Sequence, residues 1–361
     1  MQPTSLGDRA PRNQWYIAAF SHEVTRAPIE RWLLNEPVAL YRIESGKAVA
    51  LDGRCPHHYF PLGRSAVAGD NLECGYHGMT FAPDGQCVRM PTISKVPGTC
   101  NIRSYPIVER WKWLWIWPGD AALADESLIP DHDAVRLTDP AFDNEPFFHF
   151  EVPARYQLLH DNLLDLTHIE FLHGATIGTE KISVTEEDRS QGDTTIRSVR
   201  TVKDISVPPH LKDRVAHYEG NVDREFSITF HLPCLHAGYE IYRAAEGTKE
   251  AGRSFGTTLF YHAVTPSTRN SLHYFFARGR DWMLGDEATT ERARELLTKV
   301  IQEDAHAVTE VERMISASDT LRPEAILASD RTLVQGRRLL EKMIMAEQSH
   351  SGEPLVAGSR I

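Results

Sequence analysis

Two short segments of the chain each combine a cysteine with a histidine. Cys55 lies two residues before His57, Cys74 lies three residues before His77, and sixteen residues separate the two pairs. Thiolate and neutral imidazole are ligands that soft and borderline metal ions prefer. A single pair is more often a buried thiol beside a core histidine. Two mixed pairs at such short spacing predict a metal centre with four protein ligands.

Two kinds of metal centre accept two cysteines and two histidines. Structural zinc sites usually take their cysteines as one sequence pair and their histidines as another. In a Rieske-type [2Fe–2S] cluster, two cysteines hold one iron and two histidines hold the other. The mixed order within each segment favours the iron–sulfur cluster. Gly63, Gly75 and Gly78 fit this interpretation, because backbone amides must approach the bridging sulfurs closely.

A second group of ligand-type side chains follows in the middle of the chain. Asp161, Asp165 and His168 share one face of a predicted helix, at spacings of four and three residues. His173 lies about 140° further round an ideal helix than His168, so both reach one metal only if the helix ends or distorts. Gly174 is the expected place for that break. For any one of these residues the alternative is the polar face of an amphipathic helix, but the group favours a metal site.

A buried carboxylate for this site is predicted within a long helix over residues 286–317. Asp304 lies four residues after Val300 and four before Val308, on the apolar stripe of that helix. An unpaired carboxylate is costly in such a position, so a cation or metal is its expected partner. Two histidines and one carboxylate form the facial triad of a mononuclear non-haem Fe(II) site. Glu303, one step round the helix, is the alternative ligand.

The pattern along the chain predicts two domains and an α+β fold. Short apolar runs between Gly, Pro and Asp residues predict a small all-β domain from Trp15 to Gly119, and the polar segment 120–141 predicts a linker. Strands and long helices in separate runs then favour an α+β domain over a doubly wound sheet. The predicted helices are 154–173, 286–317 and 331–347, the predicted strands are 190–265 and 271–278, and 351–361 is a predicted flexible tail.

Composition excludes several classes of function. The 361 residues include 39 basic and 50 acidic side chains, a net charge of −11, which argues against nucleic acid or an anionic membrane as partner. No apolar run approaches the ~20 residues of a membrane helix, and the N-terminus lacks the apolar segment of a signal peptide. Five cysteines, an odd and low number, argue against a disulfide framework. A cytoplasmic protein is expected.

With these motifs in hand, the chain resembles the oxygenase component of Rieske non-haem iron aromatic oxygenases, in particular the vanillate O-demethylase and dicamba monooxygenase group. The matching segments, beyond the Cys/His pairs, are residues 13–19, 116–120 and 161–168 and the Glu303-Asp304 pair. One departure is His58, where the family more often has arginine or lysine. Residues 183–256, expected to line the substrate pocket, match no family pattern.

The resemblance implies a helix-grip-like catalytic domain with a central antiparallel sheet. It also assigns roles residue by residue. The cluster ligands would be Cys55, His57, Cys74 and His77, and the Fe(II) ligands would be His168, His173 and Asp304. Two further residues would have catalytic roles. Asp165 would carry the electron by hydrogen bonds from a cluster histidine to an iron histidine, and Asn162 would lie near the iron.

The resemblance also implies partners and a reaction. A homotrimer is expected, in which the cluster of one subunit serves the iron of its neighbour. Electrons would come from NAD(P)H through a separate reductase or ferredoxin, and the substrates would be O₂ and an aromatic compound, with an aryl acid as the expected class. The expected reaction is O-demethylation or another monooxygenation. By residue type alone, the groups that could pair with an aryl acid are His160, His231, His236 and Arg243.

Three alternatives remain open. A dioxygenase that dihydroxylates the ring of a phenoxybenzoate- or phthalate-like acid would use the same iron ligands. An electron carrier would need only the Rieske centre, although the large second domain and the buried Asp304 argue against it. A zinc-stabilised binding module would be colourless.

Overall fold

The computed structural model describes residues 9–212, 214–318, 320 and 322–351. Most of the predicted tail, from residue 352 onward, lies outside them. The chain divides into two compact units. Among the described residues, the first comprises 9–129 and 265–271, and the second comprises 130–264 and 272–351.

The first unit is all-β, as predicted. Its strands form three antiparallel sheets, with orders β1-β10-β9, β2-β3-β4 and β5-β6-β7-β8. The strands are β1 Tyr16–Phe20, β2 Ile29–Leu33, β3 Glu36–Arg42, β4 Ala48–Asp52, β5 Ala66–Ala68, β6 Asn71–Glu73, β7 Thr80–Phe81, β8 Cys87–Arg89, β9 Ile107–Arg110 and β10 Trp113–Ile116. All residues of β1 and β10 are buried, which explains their continuous apolar sequences.

The two Cys/His segments lie in loops of this unit. Cys55 follows β4, and Cys74 follows β6 directly. Both thiols belong to one core cluster, packed with Leu51, Leu72 and Phe81. The strands therefore fix the starting point of each loop against a common apolar floor.

The second unit is an α+β domain with an antiparallel sheet, as predicted, and this sheet has seven strands. The strand order is β11-β17-β16-β15-β14-β13-β12. The strands are β11 Glu145–Val152, β12 Glu187–Gln191, β13 Thr195–Ile205, β14 Val222–His231, β15 Leu235–Ala244, β16 Ser254–Thr268 and β17 Ser271–Arg280. The helices are α1 Tyr156–Leu164, α2 His168–Phe171, α3 Glu287–Ser316 and α4 Arg331–Ser351. None of the described helices is long and apolar enough to cross a membrane.

The long helix α3 matches its prediction to within one residue at each end. Its first turn is capped by Asp286, whose carboxylate accepts from the Thr289 amide at 2.6 Å. Its buried residues include Val300, Asp304 and Val308, so the predicted apolar stripe is the buried face. Helix α1 packs against both α3 and α4. This packing holds the segment after α1 beside the buried face of α3.

The predicted continuous helix 154–173 is wrong. The chain leaves the helix at Asp165, and a short second helix begins at His168. The reason is local, because the Asp165 carboxylate accepts from the Thr167 amide at 2.9 Å and from its hydroxyl at 2.6 Å. Such short-range bonds compete with helix continuation. The expected break at Gly174 is also misplaced, since α2 ends at Phe171.

Candidate metal centres

The two Cys/His loops share one backbone geometry. In each loop the amide four residues after the cysteine donates to the cysteine carbonyl, Tyr59 to Cys55 at 2.8 Å and Gly78 to Cys74 at 3.0 Å. Tyr59 and Gly78 both have left-handed φ angles, +57° and +70°. Glycine adopts this conformation without strain, whereas a tyrosine there is uncommon and must be held by its surroundings. The repeated turn points each cysteine inward.

The four side chains are arranged for two different environments. Cys55 and Cys74 are buried, whereas His57 and His77 are exposed, and the Nδ1 atoms of the two histidines lie 3.2 Å apart. Burial raises the pKa of the Cys55 thiol to about 11. A metal at this position would stabilise the thiolate that burial disfavours. The residues therefore fit a [2Fe–2S] cluster with a thiolate-bound inner iron and an imidazole-bound outer iron.

The second set of predicted ligands lies in the other unit. The break after α1 places His168 at the start of α2 and His173 in the turn that follows. Asp304 Oδ1 lies 3.6 Å from His168 Nε2 and 3.1 Å from His173 Nε2. Within the described part of the chain, this is the only group of three or more His, Cys, Asp or Glu residues whose ligand atoms all lie within 4.8 Å of one another.

The hydrogen bonds around this set leave its ligand atoms free to bind a metal. His173 Nδ1 donates to Glu303 Oε2 at 2.7 Å, and His168 Nδ1 donates to the backbone carbonyl of Asp165. With hydrogen on Nδ1, each imidazole has its lone pair on Nε2, the atom that faces Asp304. Asp304 Oδ1 is buried and has no hydrogen-bond partner among the described residues. The arrangement fits a divalent metal ion.

The electrostatics of these three groups favour a positive charge between them. Burial lowers the pKa of His173, but Asp304 and Glu303 outweigh this effect and raise it overall. Burial raises the pKa of the Asp304 carboxyl, yet His173 and His168 outweigh burial and lower it. The carboxylate is therefore ionised in its buried position, as a ligand to iron must be.

The other predicted site residues have different surroundings. Asn162 has a buried side-chain oxygen with no hydrogen-bond partner among the described residues. The Asp165 carboxylate is occupied with Thr167, and its role in electron transfer stays a prediction. Asp161 pairs with Arg337 of α4, at 2.9 and 2.7 Å, and is not one of the three grouped ligands.

Glu303 has a different role from the one the sequence suggested. It was the alternative ligand, but its carboxylate accepts from His173 and, at 2.9 Å, from the Thr176 hydroxyl. It thereby orients a ligand histidine, an arrangement common around metal sites. The position of Glu303 next to Asp304 in the sequence indicated that it lies near the iron ligands. The sequence did not indicate that it binds His173 Nδ1.

A cavity of about 300 Å³ opens beside the three predicted iron ligands. Part of its lining comes from residues 209–214 and from β14, which lie within the segment 183–256 that was predicted to line the substrate pocket. The rest of the lining includes residues of β16, β17 and α3. At one end His262 contributes to the electrostatic environment of Asp304. Along β16 the lining continues through Phe260 to Thr258, which pairs with Glu240 of β15. Because alternate strand residues share a face, the lining runs from the metal ligands across aromatic side chains to a charged end.

None of the four residues suggested by type to pair with an acid lines this cavity. His160 and His236 are buried against each other, with Nδ1 and Nε2 2.7 Å apart. Arg243 pairs with Glu225 at 3.0 Å. The charged end of the cavity carries instead a set that sequence analysis missed: Arg214, Arg224, Glu240 and Arg278. They come from separate strands and a loop, and no sequence spacing relates them.

Comparison with protein families gives two matches that together span most of the chain. Residues 14–106 match the Rieske [2Fe-2S] domain. Residues 152–346 match the vanillate O-demethylase oxygenase C-terminal domain. The first contains all four candidate cluster ligands, and the second contains all three candidate iron ligands.

Individual relatives agree along nearly the full length. The iron-sulfur subunit of the toluene-4-sulfonate monooxygenase system of Comamonas testosteroni is 36% identical, over 93% of this chain and 97% of that protein. The oxygenase component of dicamba O-demethylase of Stenotrophomonas maltophilia is 33% identical, over 93% and 98%. A crystal structure of dicamba monooxygenase bound to dicamba superposes with a TM-score of 0.83 at 32% identity, covering 94% of this chain and 98% of that one.

Proposed function

The chain belongs to the Rieske non-haem iron oxygenases, as an oxygenase component of the vanillate O-demethylase group, and from this premise we propose that it oxidises an aromatic substrate by O-demethylation or a related monooxygenation. The observation that carries the proposal is the position of His168, His173 and Asp304 at the wall of a largely apolar cavity of about 300 Å³. This volume is at the small end of the range for small-molecule sites and suits a single-ring compound.

We assign each cofactor to residues of this chain. Cys55, His57, Cys74 and His77 would hold the Rieske cluster, within a domain of residues 1–120. His168, His173 and Asp304 would hold Fe(II), within a domain of residues 121–350. Together the bound metals would supply one-electron transfer and O₂ activation, chemistry that protein side chains alone do not perform.

The protein's own contribution is binding, orientation and exclusion of water. Phe226, Phe260 and Phe276 line the cavity and would enclose an aromatic ring. Glu303 fixes the orientation of His173, and the Asp165 carbonyl fixes that of His168. These contacts hold the ligand atoms in place before substrate arrives. Asn162, with a buried oxygen that lacks a hydrogen-bond partner among the described residues, would act near the iron.

As an oxygenase component, the chain works with a separate electron donor. We propose a reductase or ferredoxin that passes electrons from NAD(P)H to the cluster. The exposed rings of His57 and His77 support this, because electron transfer is easiest where the cluster approaches the surface. We also propose a homotrimer in which Asp165 links the cluster of one subunit to the iron of the next, and a cytoplasmic location, where NAD(P)H is available.

The test is a product assay with the reconstituted system. Purified holoprotein, a surrogate reductase and NADH are supplied with methoxybenzoates, and formaldehyde and ring diols are measured together. The proposal predicts formaldehyde in step with substrate-dependent O₂ uptake. Ring diols without formaldehyde would indicate the dihydroxylating alternative, and the absence of substrate-dependent O₂ uptake across a panel of aromatic compounds would contradict an oxygenase.

A further inference from the structure

The end of the cavity remote from the candidate iron ligands carries an excess of positive charge. Four arginines line the cavity, Arg214, Arg224, Arg278 and Arg292, and away from the candidate iron ligands the lining has one carboxylate, Glu240. Glu240 is already paired, because Arg224 Nη2 lies 2.5 Å from its Oε1 and Arg224 Nε donates to the same oxygen at 2.8 Å. Arg224 thus completes one ion pair, and Arg292 donates to the Thr289 hydroxyl of its own helix at 2.9 Å. The guanidinium groups of Arg214 and Arg278 remain.

Neither remaining arginine has a carboxylate within ion-pair distance in the described chain. Arg214 donates only to neutral acceptors, the carbonyls of Phe255 and Gly256 and, at 3.5 Å, the Thr258 hydroxyl. Arg278 makes no side-chain hydrogen bond or ion pair with any described residue. Its guanidinium lies 5.7 Å from the centre of the Trp282 ring, and that of Arg214 lies 4.4 Å from the same ring.

Two cations in this position favour binding of an anion, because neither has a carboxylate of the described residues in direct contact. Burial lowers the pKa of both Arg214 and Arg278 to about 10, although the charge of the Glu240 carboxylate opposes this lowering for both and that of Asp281 opposes it for Arg214. A buried charge is normally paired or hydrogen-bonded. An arginine fork directed into a cavity binds a planar or tripodal oxyanion well, since it offers parallel N–H donors.

The order of side chains along the strands fixes where such an anion would lie. On β17, Tyr274, Phe276 and Arg278 alternate onto one face, and the Tyr274 hydroxyl bonds His262 Nδ1 at 2.6 Å. His262 is the cavity residue that contributes to the electrostatic environment of Asp304. Arg278 is therefore four residues, about 13 Å of strand, from the end of the face nearest the candidate iron ligands. Phe276 lies between the two ends.

We propose that Arg278, supported by Arg214 and Trp282, binds the anionic group of an aromatic carboxylate or sulfonate and so determines which end of the substrate faces His168, His173 and Asp304. The ring would pack on Phe276, and the group to be oxidised would lie on the ring position opposite the anion. This inference rests on the proposed function, because it concerns the substrate of the same cavity.

The test is a binding measurement that does not need turnover. Anaerobic holoprotein is titrated calorimetrically with para-methoxybenzoate, para-toluenesulfonate and the neutral para-methylanisole. The wild type is expected to bind at least one of the two anions tenfold or more tightly than the neutral probe, and the preferred anion identifies the head group. Arg278→Gln is expected to weaken anion binding about 10- to 100-fold, or about 1.4–2.8 kcal/mol at 1.4 kcal/mol per tenfold, with little change for the neutral probe.

Two further variants make the result decisive. Arg243→Gln removes an arginine that does not line the cavity and should bind like the wild type. Arg278→Lys keeps the charge without the fork and should recover part of the affinity, so it replaces Arg278→Gln if that variant does not fold. Equal binding of anions and neutral probe by the wild type, or unchanged anion binding in Arg278→Gln, would overturn the inference even if turnover occurs. Selective anion binding without substrate-dependent O₂ uptake would instead overturn the proposed function alone.

Discussion

The carboxylate of Glu303 should control how tightly the iron is held, although it is not assigned as a ligand. It accepts from His173 Nδ1 at 2.7 Å and is itself held by the Thr176 hydroxyl at 2.9 Å. Glu303→Gln keeps the shape of the side chain but removes the charge that strengthens this hydrogen bond and makes Nε2 a better ligand. Loss of such a partner weakens metal affinity about 10- to 100-fold, equivalent to about 1.4–2.7 kcal/mol.

The assay is removal of Fe(II) from anaerobic holoprotein by a ferrous chelator, with iron counted at each chelator concentration. Cluster absorption in the visible range serves as an internal reference, because Glu303 lies in the iron-bearing unit and its loss should leave the cluster intact. Glu170→Gln is the matched control, since the carboxylate of Glu170 accepts from the Ser183 amide at 3.0 Å and does not contact either iron histidine. Equal iron loss from wild type and Glu303→Gln, or equal weakening in both variants, would refute the reasoning.

Three further variants test the fold and the cluster. Burial raises the pKa of Glu312, but hydrogen bonds from Arg155 and Ser316 outweigh burial and lower this pKa from 4.5 to about 2. Glu312→Gln should therefore lower the free energy of unfolding at pH 7 by about 3 kcal/mol, measured by urea titration. Because a depressed carboxyl pKa stabilises above 4.5, that difference should shrink as pH falls from 4.5 towards 2. Gly238→Ala would place a Cβ 2.2 Å from the Phe260 ring and should lower the unfolding free energy by about 1–3 kcal/mol in the same titration. Cys55→Ser should abolish the visible absorption of the cluster, because a hydroxyl is a poor ligand for iron in an iron–sulfur cluster.

Each of these variants has a counterpart that should be silent. Glu310→Gln removes an exposed ion pair to Arg313 and should not change stability measurably. Gly98→Ala meets nothing within 4 Å and should be tolerated. Cys87→Ser changes a buried thiol that packs in the same hydrophobic core as Cys55 but is not a predicted ligand. This variant should keep the visible absorption of the iron–sulfur cluster. If a variant behaves like its counterpart, the contact that was assigned to the substituted residue does not determine the stability or the cluster absorption.

The sequence predicts a structural feature well when the residues that form it lie close together along the chain. The Cys/His loops are local, so spacing alone marks them, and helical periodicity places Asp304 on the buried face because α3 is long and regular. The helix break at Asp165 was missed, since two side-chain hydrogen bonds to Thr167 outweigh the helical pattern there. The sequence did predict that a helix break brings His168 and His173 to one metal, but it placed that break at the wrong residue.

The charged end of the cavity was beyond sequence reasoning. Arg278 lies near the end of β17, four residues before Trp282, whereas Arg214 lies in a loop far away in sequence and reaches the same ring only in the folded chain. Sequence inspection suggested Arg243 instead, which pairs with Glu225. Residue type identifies an arginine, but the partner that satisfies it, or is missing, is a property of the folded chain.

The central claim is that this chain holds two separate iron centres, with Asp304 as ligand to only one of them. The most direct measurement is the iron content and anaerobic visible spectrum of purified wild type and Asp304→Ala. About three irons per chain in a red-brown wild type, falling to about two in the variant with unchanged cluster absorption, is the predicted result. About three irons in both proteins would contradict the assignment of Asp304, and a colourless protein that contains zinc would contradict the account as a whole.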